Sequence, residues 1–214
     1  GKGALSFQQY DDISGVSLTD VDVADCSAPW GQLILAHTDA DAFDVGNTEL
    51  KSLVLWQSGG ADATSAVVLN AATDAVLDRD VVADGFIAED QMAHKIDLSG
   101  LGLVQWKANE LFVTATSFAA PYTTAPSIQR AADAASAGFT LHVGAGTYPE
   151  SVTTAVPLTI LGAGATTIIE PTSGNALTLA AGTDASNRTV VKDVKVTGGA
   201  RGITAGGFTT LEGV

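Results

Sequence analysis

Apolar positions along this chain recur in a fixed motif, one residue followed three and five places later by two more. Leu18, Val21 and Val23 make one copy, Leu50, Leu53 and Leu55 another, Leu98, Leu101 and Leu103 a third, and Val191, Val194 and Val196 a fourth. Leu211 with Val214 opens a further copy, and Leu77 with Val82 reads as a degraded strand copy whose middle place is taken by Asp80. Successive starts lie 32, 27 and 21 residues apart from Leu18 to Leu98, and 20 apart from Val191 to Leu211. Intervals of this size mark repeat architectures, in which each repeat buries its apolar side against the next. Stacked coils of short strands, about 4.8 Å apart with every second side chain inward, fit the pattern. Gly59-Gly60, Gly198-Gly199 and Gly206-Gly207 stand between the motifs, where corners need unusual backbone conformations. The expected fold is all-β, a parallel β-helix solenoid. A β-sandwich is the structural alternative, because strands at 8 to 12 residue spacing also alternate.

The stretch from Ser127 to Glu150 decides between the two. Ile128, Ala131, Ala132 and Ala135 share one helical face, Ser127 stands where an N-cap is needed, and Gly138 stands at the stop. A helix over about 127–137 is too short to hold alone in water, so it must pack against the open end of a coil. After Gly138, the residues Phe139, Leu141 and Val143 alternate inward, and Gly144 and Gly146 turn the chain. Tyr148-Pro149-Glu150 then leads to Val152, with Leu158, Ile160, Ile168 and Ile169 as the next strand pair.

Ser127 to Gly162 resembles the N-terminal capping repeat of bacterial right-handed parallel β-helix proteins, a superfamily of pectin-acting enzymes and large surface proteins. The matching residues are Ser127, Ile128, Gln129, Ala131, Ala134, Ala135, Val143, Gly146, Thr147, Tyr148, Glu150, Leu158, Thr159, Ile160 and Gly162. Ile87 to Val113 is similar to the closing segment of multi-module proteins of this kind. The resemblance implies three parts: 1–117 as terminal coils of one right-handed β-helix module, 118–126 as a linker containing Pro121 and Pro126, and 127–214 as the cap and first coils of a second. It implies fold and leaves activity open.

Composition narrows the function classes. Ten Lys and Arg stand against 24 Asp and Glu, for a net charge of −14, which repels phosphate backbones and anionic membranes. Nucleic acid is not expected as a partner. No apolar run is long enough for a membrane-spanning helix, so membrane insertion is not expected either. Cys26 is the single cysteine and has no partner for a disulfide within the chain. Gly1-Lys2-Gly3 does not open a signal peptide, and Val214 falls inside a strand-like pattern, so the sequence reads as a piece of something longer.

Candidate chemistry is sparse. Asp78-Arg79-Asp80 is the nearest approach to the clustered carboxylates and base of a polysaccharide lyase, but alternation separates Arg79 from both acids, and a solvated coil surface is preferred. Asp39, Asp41, Asp44, Asn47 and Glu49 are the densest run of oxygen donors, of the kind Ca²⁺ takes. Phe43, Asp44 and Leu50 break the EF-hand spacing, so a polar turn is preferred and Ca²⁺ is the alternative. His37, His94 and His142 are scattered without paired ligands, which argues against zinc; His142 reads as a surface residue and His94 as packing under a last coil. Gly162-Ala163-Gly164 opens no helix and is read as a coil corner, and the sequon Asn187-Arg188-Thr189 is given no role. Trp30, Trp56 and Trp106 could stack on sugars, but each lies close to an apolar strand and packing is preferred.

No catalytic, cofactor or metal residues are assigned on this basis. The expected role is a structural and adhesive module of an extracellular or cell-surface repeat protein. Head-to-tail self-association through open coil ends could build fibres. A polysaccharide lyase or esterase, or a carbohydrate-binding module on the same fold, is the alternative.

Overall fold

The computed structural model describes residues 80–90, 94–97, 103–115 and 128–214 in full, and before them the backbone of four short strands. In chain order the elements are β1 (Leu5–Phe7), β2 (Leu33–Leu35), β3 (Ala42–Asp44), β4 (Val67–Asn70), α1 (Val82–Glu89), β5 (Val104–Gln105) and β6 (Glu110–Val113). They continue as α2 (Ile128–Ala134), β7 (Thr140–Val143), β8 (Gly146–Tyr148), β9 (Val152–Thr153), β10 (Thr159–Ile169), β11 (Asn175–Leu179), β12 (Thr189–Val196), β13 (Arg201–Ala205) and β14 (Thr209–Glu212). Every strand pairing described is parallel. The protein is thus β-rich, with two short helices among the described residues. Contacts divide it into two compact units, 1–108 with 117–124, and 109–116 with 125–214.

In the first unit β1 pairs with β2, and β3, β4 and β5 form a second sheet. The motif copies at Leu18–Val23 and Leu50–Leu55 lie outside the described residues. Val82 was expected to close a strand copy and instead opens α1. Asp80 explains the difference: its carboxylate is exposed and lies 3.5 Å from the Lys107 ammonium, so it cannot serve as an inward rung. The small residues Gly85 and Ala88 then form the buried side of a helix, and Asp84 sits favourably in its first turn.

In the second unit the sheet order is β14-β12-β10-β7-β6, with β8 also on β10, and a separate sheet runs β13-β11-β9. Parallel neighbours need long crossovers, and here the crossovers are themselves strands. β10 pairs with β7 through Thr159–Leu161 and with β8 through Thr167–Ile169, bending between. β12 follows the same bend, with Asp193 at a positive φ of 55°. Gly162 lies in the bend because a Cβ there would run into the Asp193 carbonyl oxygen of the next strand. The register aligns one aliphatic residue per strand, Leu111, Leu141, Ile160, Val191 and Leu211, across five strands. The first four are buried and form the spine of the core, beside Val113 with Val143 and Val152 with Leu177. Stacking of this kind buries most of each side chain and is worth about 1.5–3 kcal/mol per large aliphatic residue.

Helix α2 runs from Ile128 to Ala134, with Ile128, Ala131 and Ala132 buried as the periodicity predicts. Ser127 lies outside the described residues, but the start of the helix is capped from 22 residues away. The Glu150 carboxylate accepts the N–H groups of Ile128 at 2.8 Å and Gln129 at 3.2 Å. The Gln129 amide in turn behaves as a strand: its Oε1 accepts the Thr153 N–H at 2.6 Å and its Nε2 donates to the Thr153 carbonyl at 2.9 Å. The edge of β9, last strand of its sheet, is closed by a side chain.

Candidate functional site

Among the described residues the densest group of titratable side chains is Glu89, His94 and Asp97, with ligand atoms within 4.8 Å of one another. Glu89 ends α1, His94 and Asp97 stand in the turn after it, and β5 begins at Val104. All three are buried, at 2%, 0% and 0% exposure. The Asp97 carboxylate accepts the backbone N–H of His94 at 3.0 Å, which fixes the turn. The imidazole bridges two elements: its Nδ1 accepts the Val104 N–H at 3.1 Å, and its Nε2 lies 3.0 Å from Glu89 Oε1. A backbone N–H can only donate, so Nδ1 is bare and the ring proton sits on Nε2, donated to Glu89.

This assignment tests the group as a metal centre. A metal on Nε2 needs the other ring nitrogen to carry the proton, which it usually donates to an oxygen. Here that nitrogen faces an N–H, so His94 cannot give Nε2 to a cation without breaking the contact to Val104. The residues do not fit a metal. The burial of all three side chains leaves no face for a substrate. What it can do is hold protons. Burial pushes the Glu89 carboxyl above the usual range, with Asp97 and Asp90 adding to the rise and His94 opposing it. Burial pushes His94 down, while the charge and hydrogen bond of Glu89, with Asp97, pull it above the usual histidine range. The bare Nδ1 works against protonating the ring, so an added proton belongs on Glu89. The cluster is a polar lock tying α1, its following turn and β5 together.

His142 was expected on the open surface and is instead covered. Its ring stacks on Phe112 with centroids 4.7 Å apart, and its Nε2 lies 2.8 Å from Glu110 Oε2. The reason is register: Phe112 is its direct neighbour on β6, and stacked rungs of successive strands cover each other even on the outward face.

A cavity of about 390 Å³ opens beside the 180–188 loop, with Gly138, Pro157, Thr159, Asn187 and Arg188 in its wall. Several polar groups beside it are engaged within the loop. Asp184 accepts the side chain of Asn187 and the N–H groups of Ser186 and Asn187, which hold its carboxyl below the usual range, and Arg188 Nε donates to the Ala185 carbonyl. Thr189 of the sequon is buried, with its hydroxyl donating to the Ala180 carbonyl.

Of the other residues singled out by sequence, Trp106 is buried and offers no ring face to a sugar. Only the backbone of Asp44 is described, within β3. Asp39, Asp41, Asn47, Glu49, Trp30, Trp56, His37, Cys26, Asp78 and Arg79 lie outside the described residues. The Glu89–His94–Asp97 group escaped sequence reading because its members sit five and three residues apart, across a helix end and a turn, in no recognised ligand spacing. No known family model, curated protein or solved structure matches the chain.

Proposed function

We propose that this chain is a structural module of an extracellular or cell-surface repeat protein, built of right-handed parallel β-helical coils that stack end to end into a rigid rod. The observation that carries the reading is the aliphatic spine from Leu111 through Leu141, Ile160 and Val191 to Leu211, one residue per strand in parallel register. Strand edges stacked in this way resist bending, because every rung adds backbone hydrogen bonds along one axis. Adhesion is the second half of the proposal and rests on the resemblance of 127–162 to surface-protein caps; end-to-end contact between copies is its simplest route to fibres.

Tandem duplication of residues 190–209 tests the coil reading, since it inserts one period between Val191 and Leu211. A stacked-coil chain should accept it, stay cooperative in urea, and show a larger denaturant slope because more surface is buried. Loss of the cooperative transition would rule out independent coils. Release of unsaturated products from an acidic polysaccharide would count against a purely structural role.

A further inference from the structure

The cavity of about 390 Å³ beside the 180–188 loop is walled by residues at the starts of three neighbouring strands: Gly138 just before β7, Pro157 and Thr159 at β10, and Val190 at β12. These strands are interior to their sheet, with β6 on one side of them and β14 on the other. The loop supplies the remaining wall, chiefly through Ser186, Asn187 and Arg188. Arg188 stands apart from the other cations. The chain carries a net charge of −14, and Lys107 and Lys192 each pair with an acid, yet Arg188 is held by neutral groups. Its Nε donates to the Ala185 carbonyl at 3.2 Å, and its guanidinium lies 6.0 Å from the centre of the Phe208 ring. Asp184, four residues back, is the nearest acid in sequence. That carboxylate is engaged instead by the Asn187 amide, the N–H groups of Ser186 and Asn187, and the Thr183 hydroxyl. Nη1 and Nη2 of Arg188 make no bond among the described residues, and neither do the hydroxyls of Thr159 and Ser186 in the same wall.

We infer that this cavity binds a small organic carboxylate, with its anion on the Arg188 guanidinium and its compact apolar body against Pro157 and Val190. A guanidinium tied at Nε and backed by a ring keeps its outer edge oriented, and a carboxylate is the group whose two oxygens match that fork. Thr159 and Ser186 are further donors for the remaining lone pairs. The cavity has the size and the mostly apolar wall of a small-molecule site, with few polar groups to fix orientation. One cation selects one negative charge: a phosphate dianion would add uncompensated charge to a chain already at −14. A neutral sugar gives the guanidinium no charge to meet, and the wall holds no aromatic ring to stack on its face.

The test uses the full chain with benzoate as probe, followed by amide NMR. Saturable shifts of the Gly138, Ser186 and Asn187 amides are expected at low millimolar benzoate, the affinity a ligand of this size can reach. Benzamide, with the same ring and no charge, should bind at least about tenfold more weakly, because it forfeits the charge-assisted bonds. Glucuronate, which carries the carboxylate on a hydroxyl-rich ring, should also bind at least about tenfold more weakly, because its hydroxyls must be desolvated against Pro157 and Val190. Arg188→Gln should weaken benzoate by about tenfold or more and leave the urea midpoint unchanged, because Arg188 is exposed. No saturable shift, benzamide binding as tightly as benzoate, or an Arg188→Gln chain that binds as before overturns the proposal. Glucuronate or inorganic phosphate binding as tightly as benzoate overturns it too, since the apolar body would then count for nothing. Shifts spread evenly over β11 and β13 mark a general salt effect and have the same force. The benzamide comparison is made on the native chain, so it decides the matter even where the Gln variant is unstable.

Discussion

Glu89 is an acid buried to 2% exposure, and its surroundings show how the cost is met. Glu89 accepts a hydrogen bond from the Nε2–H of His94, and the imidazole Nδ1 accepts one from the Val104 N–H, so every group in the line is partnered. Removing His94 would strand both neighbours at once. His94→Ala is therefore expected to destabilise the first unit by about 1–3 kcal/mol for each buried group left without its hydrogen bond. Faster exchange of the Val104 amide would report it, and an unchanged rate would show that the bridge holds nothing. The pH dependence follows from the same cluster. The Glu89 carboxyl is raised by burial, so the folded chain keeps a proton that the unfolded chain has released. Folded binds more protons than unfolded, so stability is full below the ordinary glutamate value of 4.5 and is lost as pH rises through the folded value. Protection of Val104 should fall from pH 5 to pH 8 in the native chain, and Glu89→Gln should flatten that slope. A steeper slope in the Gln variant would refute the assignment.

At the level of elements, α2 is held by side chains that reach it from elsewhere in sequence. A seven-residue helix has almost no intrinsic stability, so the Glu150 carboxylate on its first N–H groups and the burial of Ile128 must supply it. Glu150→Ala is expected to cost about 1–2 kcal/mol in urea unfolding of the second unit, the value of a lost helix cap with a charged acceptor. Glu150→Gln should recover part of that loss, and equal stability of all three chains would deny the cap. These contacts also show what sequence could convey. The helix and its buried face were legible because they depend on local periodicity, but its stop was not: α2 ends at Ala134, short of the expected 137, and Gly138, with φ of 85°, lies in the turn that follows. The strands after it were legible through alternation at Leu141 and Val143. The partner of Ser127's cap position was not, because Glu150 comes near only after two strands have formed. For the same reason α1 was hidden: Val82–Glu89 has a weak apolar stripe and buries an acid, and only the imidazole ten residues before β5's first N–H makes that acceptable.

For the whole molecule the governing quantity is charge. A net −14 on 214 residues means that folding gathers like charges that the unfolded chain keeps apart. Ion pairs at the surface offset little of this. Lys107 with Asp80 and Lys192 with Glu212 are both solvent-exposed, and water and salt screen such pairs until they contribute little. Salt weakens those pairs and the wider repulsion together, but the repulsion acts over longer distances and among more groups. With a screening length of about 10 Å at 0.1 M, falling to about 3 Å at 1 M, the long-range term is removed first. The midpoint of urea unfolding is therefore expected to rise as sodium chloride is raised from about 0.02 to 0.5 M. Charge reversal of one exposed acid, Glu170→Lys, should raise the low-salt midpoint and shrink the salt effect, because Glu170 is exposed and its removal relieves repulsion without touching the core. A midpoint that falls with salt would mean that ion pairs outweigh the net charge, and the acidic surface would then have to be read as a set of local bridges.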